Sequence, residues 1–265
     1  MKRIVSIVAV FFAVIAMSFA QNTSALSRIV KNGELRVGTS GNQPPYSMTS
    51  KSGELTGYEI DLANLLAGSM GVELKLVQMP FGELLPALEA GEIDVIMSGM
   101  TITPERNMKA LFVGPYMVSG KTILTKASTI LALDEQTEIN QSQVTLVALQ
   151  GSTSEEFVNL VLPEAKLTLA KDYDEAVNLV LSDKVNAMVA DVEICQVTAL
   201  RYPDSDLAVL DQALTIEPIG MAISANDFLL ENVIRNYFTS LEMVGMLDAL
   251  EIKWFENGAW LIQVK

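Results

Sequence analysis

The sequence predicts an α/β fold of open, mainly parallel sheets covered by helices, and two observations carry that prediction. From Leu35 to Asp191, short apolar strand-like segments alternate with helix-like ones. The polar motifs fall just past the strand ends, which is the edge where such sheets bind ligands.

The elements follow in order. E-L-R-V-G-T is a short strand ending at Gly38, and the turn-rich stretch after Pro44-Pro45 allows a hairpin at Ser52-Gly53. G-Y-E-I-D-L-A-N-L-L-A-G-S-M-G predicts a helix with Leu62, Leu65, Leu66 and Met70 on one face and Gly71 as its stop. V-E-L-K-L alternates as a strand. F-G-E-L-L-P-A-L-E-A-G predicts a helix from about Gly82, with Pro86 in the first turn. D-V-I-M is a buried strand that runs into S-G-M-T-I-T, where Thr103-Pro104 predicts an N-cap with Pro at the first helical position. A second series repeats the plan: strands at 122–125, 145–149, 165–169 and 187–190, with helices after Gly151 and from Tyr173. Two helices close the chain, Phe228 to about Met243 and Gly245 to about Phe255.

Composition excludes several functions. The 265 residues contain no His and one Cys, Cys195, which removes His-dependent triads, His-ligated metals and an internal disulfide. The formal net charge is −14 with no basic run, so nucleic acid is not an expected partner. Lys2 and Arg3, the apolar run Ile4 to Ala16 and Ser18-Phe19-Ala20 match a secretory signal peptide, residues 1–20, cleaved after Ala20. The run is short for a bilayer span. The chain is therefore expected in the periplasm. There Cys195, in the apolar run Ile194 to Leu200, reads as a buried small hydrophobe.

Four constellations could carry chemistry. S-G-M-T-I-T-P-E-R places hydroxyls at Ser98 and Thr101, an open backbone at Gly99 and a guanidinium at Arg106. Arginine clasps a carboxylate with two parallel N–H bonds, but taken alone the residue reads first as a surface ion pair with Glu105 or Glu83. Q-G-S-T-S-E-E-F joins strand to helix, and Ser152 and Thr153 there offer either an anion site or an ordinary N-cap. Asp191, at a strand end, suits an ammonium group or caps the segment after it. Phe81 and Tyr46 could flank a ligand or belong to the core. Together, one guanidinium, one helix-start site and one acid describe a pocket for a zwitterion.

These residues resemble the polar amino-acid-binding family of bacterial extracellular solute-binding proteins, which feed ABC importers. The resemblance spans E-L-R-V-G-T, G-Y-E-I-D-L-A, F-G-E-L-L-P-A-L-E-A-G-E-I-D, T-I-T-P-E-R, F-V-G-P-Y, Q-G-S-T-S-E-E-F and A-D. It implies a two-lobed periplasmic-binding-protein type II fold with two hinge crossings. Lobe 1 would be residues 28–116 plus 221–265 and lobe 2 residues 121–215, with hinges near 116–120 and 216–220. Gly114, Gly120 and Gly220 near those crossings are compatible with bending.

Carried over by residue, the resemblance implies that Arg106 holds an α-carboxylate, helped by Thr101, the backbone near Gly99, and Thr153 from the other lobe. Asp191 would take the α-ammonium with Ser98 or the Gly99 carbonyl, and Phe81 would pack on the ligand side chain. Where many members carry an acid after the first strand this chain has Ser40, and where they often carry a lid aromatic it has Gln43. The missing acid argues against a Lys- or Arg-type ligand. The implied role is a monomer without cofactor or metal that closes on an amino acid and delivers it to an ABC permease. Two rivals use the same scaffold: an exported cyclohexadienyl dehydratase, for which Glu193 is the candidate general acid, and a sensor acting on a membrane receptor.

Overall fold

The computed structural model describes residues 24–128, 139–210 and 212–264, so the segment read as a signal peptide lies outside the described residues. The chain forms two five-stranded sheets. The first has the order β5 (Glu73–Gln78), β1 (Glu34–Thr39), β6 (Val95–Ile96), β13 (Glu217–Ser224), β7 (Ala110–Ser119). The second has the order β10 (Lys166–Ala170), β9 (Thr145–Leu149), β11 (Ala187–Asp191), β8 (Lys121–Lys126), β12 (Leu207–Val209). A small antiparallel sheet joins β2 (Asn42–Gln43), β3 (Ser47–Thr49) and β4 (Leu55–Thr56), with the expected turn over 50–54.

Each large sheet is mixed rather than mainly parallel. β1 pairs in parallel with β5 and β6, and β9 with β10 and β11. These are the strands joined by helical crossovers, which is what a parallel pair requires. The antiparallel pairs all involve strands that enter or leave a crossing: β13 with β6 and β7, and β8 with β11 and β12. Helical periodicity reveals the crossover units but not these returning strands.

The helices are α1 (Ala25–Asn32), α2 (Tyr58–Met70), α3 (Phe81–Glu89), α4 (Pro104–Asn107), α5 (Thr153–Val161), α6 (Tyr173–Leu181), α7 (Val192–Arg201), α8 (Phe228–Met243) and α9 (Met246–Glu251). α2 buries Leu62, Ala63 and Leu66 and stops at Gly71, whose φ of 66° returns an N–H to the Ala67 carbonyl. Burying a leucine side chain contributes about 1.5–3 kcal/mol, so this face holds α2 on its sheet. α3 starts at Phe81, one residue earlier than expected, so Pro86 lies in the second turn and forfeits one helical bond. One apolar cluster packs around β1, α2 and α8. Another joins Phe81 and Leu84 of the first lobe to Tyr173, Ala176 and the fully buried Cys195 of the second.

The two crossings run side by side. β7 leads through Gly120 into β8, and residues 212–216 return the chain into β13, where Glu217 pairs with Ser119. A Cβ on Gly120 would lie 2.3 Å from the Thr215 carbonyl oxygen, so only glycine lets the crossings approach this closely.

Candidate functional site

The site is assembled where strand ends of the two lobes meet. Thr103 caps α4, its hydroxyl accepting the Arg106 N–H at 3.2 Å, and Pro104 occupies the first helical position as the sequence predicts. The preceding loop is zipped to the second crossing: Ile102 N donates to the Pro218 carbonyl at 2.7 Å and Gly220 N to the Met100 carbonyl at 3.1 Å. These bonds turn Arg106 inward, where it is only 8% exposed. Its Nη1 donates to the Thr101 carbonyl at 2.9 Å, and its Nη2 to the Gly151 carbonyl of the other lobe at 3.2 Å. Neither Glu105 nor Glu83 pairs with it through an ion pair. The Phe81 ring lies 5.7 Å below the guanidinium, a cation–π contact. Burial pulls the Arg106 pKa down, opposed by the carboxylates of Glu156, Glu217 and Asp191. Loss of hydration leaves a cation whose donors are poorly compensated by two carbonyls, which favours an incoming anion.

The second lobe answers with the start of α5. Thr153 Oγ1 lies 3.3 Å from Thr101 Oγ1, bridging the lobes beside Arg106. Ser152 serves the helix instead. Its hydroxyl accepts the Glu155 N–H and donates to the Leu149 carbonyl at 2.6 Å, while Glu155 reaches back to the Gly151 N–H. Of this adjacent pair, Thr153 is the one turned to the opposite lobe.

Ser98, Ser40 and Gln43 form one knot. Ser98 Oγ donates to Gln43 Oε1 at 2.6 Å, Ser40 Oγ donates to the same oxygen at 2.8 Å, and Ser98 Oγ accepts the Ser40 N–H at 3.0 Å. Gly99, with φ of 56°, brings its backbone alongside Gln43 and Tyr46, and its N–H donates to Glu59 Oε1 at 2.7 Å.

Asp191 does not stand alone. It is 3% exposed, makes no side-chain cap to α7, and holds Lys121 Nζ at 2.5 Å. Glu217 Oε2 lies 3.7 Å from the same ammonium. The sequence reading left Lys121 and Glu217 out of the site. They enter it through strand register, since Lys121 sits opposite Asp191 in the β8–β11 ladder.

Two further carboxyls belong to the region. Glu193 Oε2 accepts from Ser119 Oγ at 2.5 Å and from the Tyr46 hydroxyl at 3.2 Å, so it links the lobes. Burial raises its pKa, against the hydrogen bond from Ser119. Glu59 is fully buried, and burial pushes its pKa up to about 7 although Tyr116 and Gly99 both donate to it. Among the described residues no group of three or more His, Cys, Asp or Glu side chains could hold a metal ion.

A guanidinium and paired hydroxyls thus meet at the junction of two α/β lobes. The family model of bacterial extracellular solute-binding proteins, family 3, matches residues 35–257. The chain belongs to that family. Its fold is the type II periplasmic-binding-protein fold. The crystal structure of an ancestral amino acid-binding protein, a precursor of cyclohexadienyl dehydratase, superposes with a TM-score of 0.81 at 38% identity, over 88% of this chain and 100% of that one. The cyclohexadienyl dehydratase of Pseudomonas aeruginosa is 28% identical over 203 residues, 77% of this chain and 76% of that protein. The L-cystine-binding protein of Escherichia coli is 27% identical over 238 residues, 90% of this chain and 88% of its own. This solute-binding protein is thus similar both to amino-acid receptors and to an enzyme built on their scaffold.

Proposed function

We propose that this solute-binding protein captures an amino acid or a similar small zwitterion between its lobes and delivers it to an ABC-type importer. The observation that carries the reading is Arg106: a buried guanidinium of the first lobe that touches the Gly151 carbonyl of the second, beside the Thr101–Thr153 pair. A carboxylate placed there takes two charge-assisted bonds from Arg106 and hydroxyl contacts from both lobes, so it stabilises the closed form over the open one. In this reading the lobes comprise residues 28–116 plus 221–265 and residues 121–215, and bending occurs near 116–120 and 216–220. The neutral knot of Ser40, Gln43 and Ser98 favours a neutral ligand side chain. The working place is the periplasm, after cleavage following Ala20, and the working form is a monomer that meets its permease when closed.

The experiment is a thermal-shift screen of the refolded mature protein against amino acids and related acids, with small-angle scattering on each hit. At least one acid should raise the melting temperature and lower the radius of gyration. Failure of every acid to do either rejects the reading.

A second reading is favoured by Glu193. It is a buried carboxyl with a raised pKa between Tyr46 and Ser119, which fits a general acid, and one relative is a dehydratase. Release of carbon dioxide and water from prephenate, absent from Glu193→Gln, would establish it.

A further inference from the structure

Lys121 and Asp191 face each other across β8 and β11, so their side chains leave the sheet on the same side. The ammonium lies 2.5 Å from Asp191 Oδ1, with the two side chains 2% and 4% exposed. The pair is tied to the loop that carries the guanidinium: Glu217, 3.7 Å from the ammonium, precedes Pro218, whose carbonyl accepts the Ile102 N–H at 2.7 Å, and Thr101 bridges to Ile219. A buried carboxylate already holding a cation at contact is compensated, and a second cation must share it or expel the first.

We propose that Lys121 supplies from within the protein the positive charge that a ligand's α-ammonium would otherwise bring to Asp191. The cleft then takes carboxylic acids that lack an ammonium group as readily as it takes α-amino acids. This rests on the reading of Arg106 as the carboxylate clasp, and it names the ligand class that follows from Lys121. Glu217 stands 3.7 Å from the ammonium and gives Lys121 a second anion to turn to when a zwitterion arrives, so amino acids remain admissible. Thr215 fixes the arrangement: its hydroxyl accepts the Lys121 N–H at 2.9 Å and donates to Glu217 Oε1 at 2.9 Å. Thr215 thereby holds the Glu217 carboxylate against the start of β8, beside the ammonium.

The test is calorimetric titration with matched pairs that differ only in the amino group: L-leucine with isocaproate, L-phenylalanine with hydrocinnamate, and L-glutamine with glutaramate. For a pair that binds, the two affinities in the wild type should lie within about tenfold of each other, the scale of one charge-assisted hydrogen bond. Lys121→Met exposes Asp191 to the ligand and should move the ratio about tenfold or more toward the amino acid. Glu217→Gln leaves Asp191 to hold Lys121 and should move the ratio toward the deaminated acid, which decides the matter even where Lys121→Met does not fold. A ratio unmoved in both variants overturns the proposal while the carboxylate clasp stands, as does a wild type that accepts only the amino acid. Binding that is indifferent to Arg106→Ala, or no binding of any pair, overturns the clasp and the proposal together.

Discussion

The Tyr46 hydroxyl of the first lobe donates to Glu193 Oε2 of the second at 3.2 Å, while its ring stands edge-on to Phe255 at 5.4 Å. The C-terminal turn that carries Phe255 thereby holds one half of an interlobe latch. Tyr46→Phe keeps the ring and removes the bond. A hydrogen bond contributes about 0.5–1.5 kcal/mol net, so affinity for an acid found in the screen should fall about threefold to tenfold. Equilibrium titration measures this, and the melting temperature without ligand should change little.

Glu59 gives a pH dependence. Burial lifts its carboxyl from the usual 4.5 to about 7, so the folded state holds the proton more tightly than the unfolded chain. Stability from this group is therefore fully present below about pH 4.5, is lost as pH rises, and levels off above about 7, a total of about 3 kcal/mol. Glu59→Gln should flatten that decline. Melting temperatures of wild type and variant across this range test it, and parallel curves contradict it.

Asp94 is a structural anchor. It is 1% exposed, pairs with Arg28 and Arg36, and accepts the Arg36 N–H at 2.8 Å. Asp94→Ala leaves two guanidinium groups without their carboxylate at the foot of β1 and β6. Because both arginines are partly hydrated, the expected cost is about 3 kcal/mol, below the upper range for a buried pair. Urea denaturation should show it as a lower midpoint with an unchanged slope.

The binding reading also predicts an absence of turnover. Incubated with prephenate or arogenate at acid and neutral pH, the wild type should release carbon dioxide no faster than buffer. Faster release that disappears in Glu193→Gln would move the assignment to the lyase reading.

Much of the fold was legible because its crossover units carry local signals. Gly57 and Gly71 bracket α2, Thr103-Pro104 opens α4, and Phe228 and Met243 bound α8, all as periodicity and capping predict. β7 and β13 escape a local reading, since F-V-G-P-Y and E-P-I-G contain Gly and Pro and no clean alternation. The same difference governs the site. Ser98, Thr101 and Arg106 lie within one contiguous motif, so their closeness is legible locally. The Lys121–Asp191 pair joins residues 70 positions apart through a strand register, and no local pattern encodes a register. Ser152 and Thr153 are chemically near-equivalent neighbours, and only the cap geometry decides which one faces the opposite lobe.

The most direct test is calorimetric titration of the strongest acid from the screen into wild type, Arg106→Lys and Arg106→Ala. Two charge-assisted bonds to the carboxylate predict a loss of about 100-fold or more in the alanine variant and a smaller loss in the lysine variant, which keeps the charge but not the fork. An alanine variant that binds as tightly as wild type would contradict the account.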